Sequence, residues 1–107
     1  MINLPLTLNL CTNVHTLEYE WDAAKAESNK RKHGVRFSEA TAVFQDEGAV
    51  LTPDPDSDEE RYLLTGFDGA ARLLLVVFTW RGPDTVRLIS ARKATRTEAK
   101  MYAEEQK

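Results

Sequence analysis

Val86-Arg-Leu-Ile-Ser-Ala-Arg92-Lys-Ala-Thr95-Arg-Thr-Glu98 carries an apolar strand straight into a cationic turn that opens a helix. Val86, Leu88 and Ser90 alternate with Arg87, Ile89 and Ala91, the period of two expected of a strand. Thr95-Arg-Thr-Glu98 has the spacing of a capping box, in which the hydroxyl accepts from the Glu98 amide and the carboxylate reaches back to the Thr95 amide. Arg92 and Lys93 stand just before that helix and Arg96 in its first turn, where peptide dipoles already gather partial positive charge. Cations collected at such an end point to a bound anion, with phosphate the leading candidate.

Working outward, Arg61–Phe67, Arg72–Trp80 and Thr85–Ala91 read as three consecutive strands. Asp68-Gly69 suits a tight hairpin between the first two and Gly82-Pro83-Asp84 a turn between the next two. Leu73–Phe78 is apolar at every position, which predicts a central strand covered on both faces. Near the start, Leu17-Glu-Tyr-Glu-Trp21 alternates as a first strand. Asp22 then caps a helix over Ala23–His33, and Gly34 stops it. Ser38 is expected to cap a second, shorter helix to about Gln45, burying Ala40, Val43 and Phe44. A brief strand at Ala49–Leu51 and an acidic, proline-bearing loop at Thr52–Glu60 follow; Thr95–Glu105 is the last helix. The expected fold is α+β in the order β-α-α-β-β-β-β-α, an antiparallel sheet with two N-terminal helices and one C-terminal helix packed on it.

With 107 residues, 42% hydrophobic and 29% charged, the chain matches an ordinary globular domain with one core. A net charge of −3 argues against a general nucleic-acid coat, but the charge is unevenly spread. Lys25, Lys30, Arg31, Lys32 and Arg36 cluster in one segment and Arg87, Arg92, Lys93, Arg96 and Lys100 in another, while residues 46–60 are acidic without a cation. Local fields of this kind steer charged ligands, although solvated faces look the same. The single cysteine, Cys11, has no internal disulfide partner, as in a reducing cytosol. Residues 1–16 lack a basic leader and are too short and polar to cross a bilayer. They are expected to form a loose extension ahead of one domain at 17–107, in a cytoplasmic protein without a membrane segment.

Metal and cofactor chemistry finds little support. His15 and His33 have no cysteine or carboxylate at zinc-ligand spacing. Asp54-Pro-Asp56-Ser-Asp58 opens like a calcium loop but carries Glu59 and Thr65 where glycine and glutamate belong. Phosphate-binding and dinucleotide glycine motifs are missing, as is a nucleophile elbow. No metal and no cofactor is expected. What remains is a set of arginines on or beside the sheet, Arg61, Arg72, Arg81, Arg87 and Arg92, whose planar forks hold phosphate oxygens and stay charged. Pairing with the acids of 46–60 is the plainer alternative. His33, at a helix end, fits a dipole-favoured position as readily as a catalytic one. Lys25, Asn29 and Lys32 share one helical face. Tyr102, two turns after Thr95, faces Arg92 or packs with Ala99.

Taken together, Glu20-Trp-Asp22, Lys25, Asn29, Lys32-His33-Gly34-Val35, Phe37-Ser-Glu-Ala40 and Val43-Phe44 resemble the pattern of the BrnT toxins. So do Glu60-Arg61, Arg72-Leu-Leu-Leu-Val-Val, Thr79-Trp-Arg81 and Arg87-Leu-Ile-Ser-Ala-Arg92-Lys-Ala-Thr95, with Glu98 and Tyr102. The resemblance covers about residues 18–102. It implies a bacterial type II toxin–antitoxin system, a RelE-like fold and a ribonuclease that blocks translation. The partner it implies is a BrnA-like ribbon-helix-helix antitoxin, through which alone the toxin would reach operator DNA. One departure is Phe78, where relatives commonly carry a histidine before the threonine.

On this reading the chain is a metal-independent endoribonuclease that joins a ribose 2′-OH to the adjacent phosphorus. Arg81 and Arg92 are the expected charge stabilisers, with His33, Glu98 or Tyr102 carrying protons; Glu98 is discounted because its capping box occupies it. Lys25, Asn29, Lys32, Arg61, Arg87, Lys93 and Arg96 are the expected RNA-binding residues. The alternative, favoured by Phe78 and the acidic balance, is a catalytically weak binding module that acts as antitoxin partner and co-repressor.

Overall fold

A computed structural model describes residues 17–107; the expected extension at 1–16 lies outside the described residues. Strand β1 (Glu18–Glu20) leads into helix α1 (Ala23–His33) and the single-turn α2 (Phe37–Ala40), which tightens into a 3-10 helix (Thr41–Gln45). Strands β2 (Val50–Pro53), β3 (Tyr62–Phe67), β4 (Leu73–Trp80) and β5 (Thr85–Lys93) follow, then α3 (Arg96–Glu105). The α+β class and the order of elements are those expected. The five strands lie in the order β1-β5-β4-β3-β2, with β4 central.

The sheet is mixed rather than antiparallel. β1 pairs in parallel with β5, Glu18 facing Thr85, Tyr19 facing Val86 and Glu20 facing Arg87, while the other three pairings are antiparallel. Three residues of β1 cover only the first part of β5. Beyond them the edge of β5 is satisfied by a side chain of α1: Asn29 Nδ2 donates to the Ala91 carbonyl at 2.8 Å and Oδ1 accepts from the Ala91 amide at 3.1 Å. One primary amide thus stands in for the next residue of a missing strand.

Local hydrogen bonding explains the helix ends. Asp22 Oδ1 accepts from the Lys25 amide at 3.0 Å, and Gly34 closes α1 in the left-handed conformation at φ 71°. Both bonds of the Thr95–Glu98 capping box are formed. The second helix begins two residues earlier than expected. Arg36 holds the cap position, its amide donating to Glu39 Oε1 at 3.0 Å, so the cap is supplied from within the first turn and Ser38 is already helical.

The strict alternation expected along Val86–Ala91 breaks at Ile89. Leu88 faces Phe78 and Ser90 faces Val77, so β5 carries one extra residue, a bulge that turns every later side chain to the other face. Ala91 is consequently buried with Val86 and Leu88 in the core. Arg87 and Arg92, five positions apart, come to lie on the same face of the sheet because of it.

The core fills the face beneath α1, α2 and the 3-10 helix, around Phe37, Phe44, Leu64, Val76, Phe78 and Leu88. Phe78 meets the rings of Phe44, Tyr62 and Trp80 with centroids 5.0–5.8 Å away. On the second face α3 lies over β3, Tyr102 meeting Phe67 edge-on at 5.3 Å. Leu75 and Thr65 are buried there, whereas Val77, Thr79 and Ile89 further along are only half-buried. The expectation that β4 is covered on both faces therefore holds for its first half only.

Candidate nucleic-acid interface

The half of the second face beyond α3 carries a transverse row of polar side chains. Tyr19, Val86, Phe78 and Tyr62 all point into the core, so strand alternation turns their neighbours Glu20, Arg87, Thr79 and Arg61 to the other side. The register aligns them: Glu20 faces Arg87 and Arg87 faces Thr79. Continuing one position from the Tyr62–Phe78 pair sets Arg61 beside Thr79, and the Thr79 hydroxyl donates to the Glu60 carbonyl at 2.7 Å. Four strands at roughly 4.8 Å spacing give a row about 14 Å long.

Arg81 joins this row from the end of β4. Its amide donates to the Thr85 carbonyl at 2.8 Å, and its Nε lies 3.5 Å from Glu20 Oε2. Arg87 Nη1 donates to the same oxygen at 2.9 Å. Arg61 Nη2 lies 3.3 Å from Glu59, while its Nε is buried without a hydrogen-bond partner among the described residues. The Asp22 carboxyl sits below its ordinary range chiefly through the Lys25 amide, with the Lys25 and Arg87 charges adding smaller contributions. Asp22 follows Glu20, which faces Arg87, by two residues, so the start of α1 lies beside the Arg87 end of the row.

Arg81 and Arg92 do not meet. The two ends of β5 separate them by about 20 Å at 3.3 Å per residue. Arg92 spends its fork on Glu98, Nη1 to Oε1 at 2.9 Å and Nη2 to Oε2 at 2.8 Å. The anion expected at the cationic start of α3 is thus the helix's own glutamate. This pairing holds the Arg92 guanidinium above, and the Glu98 carboxyl below, their ordinary values. Lys93 and Arg96 remain exposed beside it. Arg72 serves the fold as well, its Nε donating to Asp68 at 2.9 Å and Nη2 to Glu39 at 3.1 Å.

Two further candidates require correction. Asn29 is buried, and beyond Ala91 its amide donates to the Val35 carbonyl at 3.0 Å, so none of its polar atoms is left for RNA. Tyr102 turns away from Arg92 and donates to Asp46 Oδ2 at 2.7 Å. Burial first, and the Asp46 carboxylate second, push its hydroxyl up to about 12, which removes it as a base near neutrality. His33 is exposed one turn past Asn29, and no hydrogen bond or ion pair among the described residues ties it to an arginine. Lys25 and Lys32 are exposed on α1.

Among the described residues no three His, Cys, Asp or Glu side chains gather as a metal-binding group, and no helix is long and apolar enough to cross a membrane. The family model described as the ribonuclease toxin BrnT of type II toxin–antitoxin systems matches residues 21–98. The chain belongs to the BrnT family. Its members are ribonuclease toxins of type II toxin–antitoxin systems. The fold of the Brucella abortus ribonuclease toxin BrnT superposes with a TM-score of 0.61 at 24% identity, covering 76% of this chain and 100% of that one. No curated protein sequence matches the chain.

Within this BrnT-family chain, Phe78 is fully buried on the core side, so the residue at that position does not face the arginine row. Glu20 and Thr79 were legible only as members of the BrnT pattern. Their position in the row follows from the parallel pairing of β1, for which the sequence offers no local signal.

Proposed function

We propose that this chain is a metal-independent endoribonuclease acting at the Arg61–Arg87 half of the second sheet face. Cleavage by a ribose 2′-OH gives a 2′,3′-cyclic phosphate and a free 5′-OH, and its transition state concentrates negative charge on the phosphorane oxygens. Arg81 and Arg87 are suited to stabilise that charge, since preorganised cations act most strongly where charge develops. Arg61, two strands away or about 10 Å, engages a flanking phosphate, with Lys25 beside the row. Arg92, Lys93 and Arg96 form a second cationic margin next to α3, in which Arg92 mainly holds the helix.

The observation that carries this reading is the convergence of Arg81 and Arg87 on one face with Arg61, contributed from separate places in the chain. Both guanidinium groups of the central pair keep donors with no partner among the described residues, because Glu20 engages each through a single nitrogen. In the cell we infer a cytoplasmic toxin that blocks translation. A BrnA-like ribbon-helix-helix antitoxin would neutralise it and carry the complex to operator DNA.

Purified protein incubated with RNA in EDTA tests the chemistry. Cleavage that persists and leaves 2′,3′-cyclic phosphate ends is the expected result; cleavage abolished by EDTA overturns metal independence. Induction without the antitoxin tests the biology. Growth arrest with RNA breakage supports the enzyme, and harmless expression supports the weak binding module.

A further inference from the structure

We propose that Glu20 is the general base of the reaction, a role that rests on the ribonuclease reading above. Glu20 is the carboxylate that contacts both Arg81 and Arg87, and both contacts use the same oxygen, Oε2, at 3.5 and 2.9 Å. Oε1 has no hydrogen-bond partner among the described residues, and the side chain is 40% exposed. One oxygen is therefore fixed by the groups that would grip the phosphate, while the other is free to accept a proton beside it. The remaining carboxylates around the two cationic regions are less suited. Both oxygens of Glu98 are taken by Arg92, Asp22 caps α1 and makes no ion pair with Arg81 or Arg87 among the described residues, and Glu59 pairs with Arg61 at the far end of the row.

The backbone explains why the carboxylate is held so closely. Parallel pairing sets Glu20 directly across from Arg87, on neighbouring strands about 4.8 Å apart. A phosphate gripped by the unused nitrogens of Arg81 and Arg87 then lies next to Oε1. In the step, Glu20 takes the proton of the 2′-OH as the O2′–P bond forms and the P–O5′ bond breaks. The leaving 5′ oxygen takes its proton from solvent water on this exposed face, and Glu20 returns its own to solvent. No oxidant, reductant or metal enters the balance.

Glu20→Gln keeps the size and the hydrogen-bonding oxygen while removing the basicity. Cleavage of end-labelled RNA in EDTA should fall roughly 10²- to 10⁴-fold. Binding of the same RNA with a 2′-deoxy sugar at the cleaved position should be as tight as wild type or tighter, since a competing anion is gone. The wild-type rate should also decline on the acid side of its pH profile, and the variant should lack that limb. The proposal is overturned if Glu20→Gln cleaves within a few-fold of wild type, or if binding and cleavage are lost together. A wild-type profile with no acid limb overturns it without needing the variant. If wild-type protein leaves RNA intact, the ribonuclease reading itself fails, which separates that outcome from failure of Glu20 alone.

Discussion

Arg92 and Glu98 join the end of β5 to the first turn of α3 through two parallel hydrogen bonds of 2.9 and 2.8 Å. Glu98 Oε1 also accepts from the Thr95 amide, so one carboxylate closes the capping box and neutralises the arginine. Charge-assisted forked pairs are the stronger class of hydrogen bond. Partial exposure of both side chains limits the gain, and Glu98→Gln should cost about 1–2 kcal/mol.

That pair also sets a pH dependence. The Glu98 carboxyl is held below its ordinary value, first by Arg92. A depressed carboxylate adds stability that is fully present above its unfolded value and lost as pH falls through the folded one. The wild-type melting temperature should therefore decline below about pH 4.5. Glu98→Gln should start lower at neutral pH and decline less steeply. Asp22, Glu39 and Asp68 are also depressed, so some acid sensitivity persists. Equal acid slopes for variant and wild type would contradict the assignment.

Asn29 is a second point at which one side chain holds two elements together. Asn29→Ala leaves the Ala91 amide and the Ala91 and Val35 carbonyls without their partner in a buried setting. Unsatisfied buried groups cost about 1–3 kcal/mol each, and partial relaxation brings the expected loss to on the order of 3 kcal/mol. Urea unfolding measures it directly. A loss under about 0.5 kcal/mol, the range of an ordinary surface change, would show that the edge of β5 needs no such cover.

Between β3 and β4 the chain turns through Ala71, whose φ of 64° lies in the left-handed region. The tight hairpin expected around Asp68-Gly69 is closed by the Asp68 amide donating to the Arg72 carbonyl at 2.9 Å. Asp68 Oδ1 accepts from the Ala70 and Arg72 amides within it. Alanine at positive φ is strained by about 1 kcal/mol. Ala71→Gly should relieve this, and after the added freedom of the unfolded chain a gain of about 0.5 kcal/mol remains. A lower denaturation midpoint would contradict it.

What was legible in the sequence was what short-range hydrogen bonding decides. Asp22, Gly34 and the Thr95–Glu98 box mark helix ends because each acts within four residues of itself. The apolar run of β4 marked the sheet centre for a similarly direct reason. Long-range relations were not legible. Nothing in Leu17–Trp21 says that β1 lies parallel to β5, and nothing at Ile89 distinguishes a bulged residue from an alternating one. The first decides the candidate site, since it brings Glu20 to Arg87; the second turns Arg92 onto the same face, at the margin beside α3. Arg92 resembles a phosphate ligand in the sequence because the Thr95–Glu98 spacing marks Glu98 as a cap and gives no sign that its carboxylate also reaches Arg92.

The central claim is that RNA is cut at the Arg81–Arg87 end of the sheet face and not at the Arg92 margin. The most direct test compares initial rates of RNA cleavage, in EDTA, for the double variant Arg81→Ala/Arg87→Ala and for Arg92→Ala. Both rates are taken at temperatures where melting curves show the proteins folded. The double variant should lose at least about 10²-fold, while Arg92→Ala should melt earlier yet cleave within a few-fold of wild type. A double variant that cleaves like wild type, or an Arg92→Ala protein that is folded and inactive, would contradict the account.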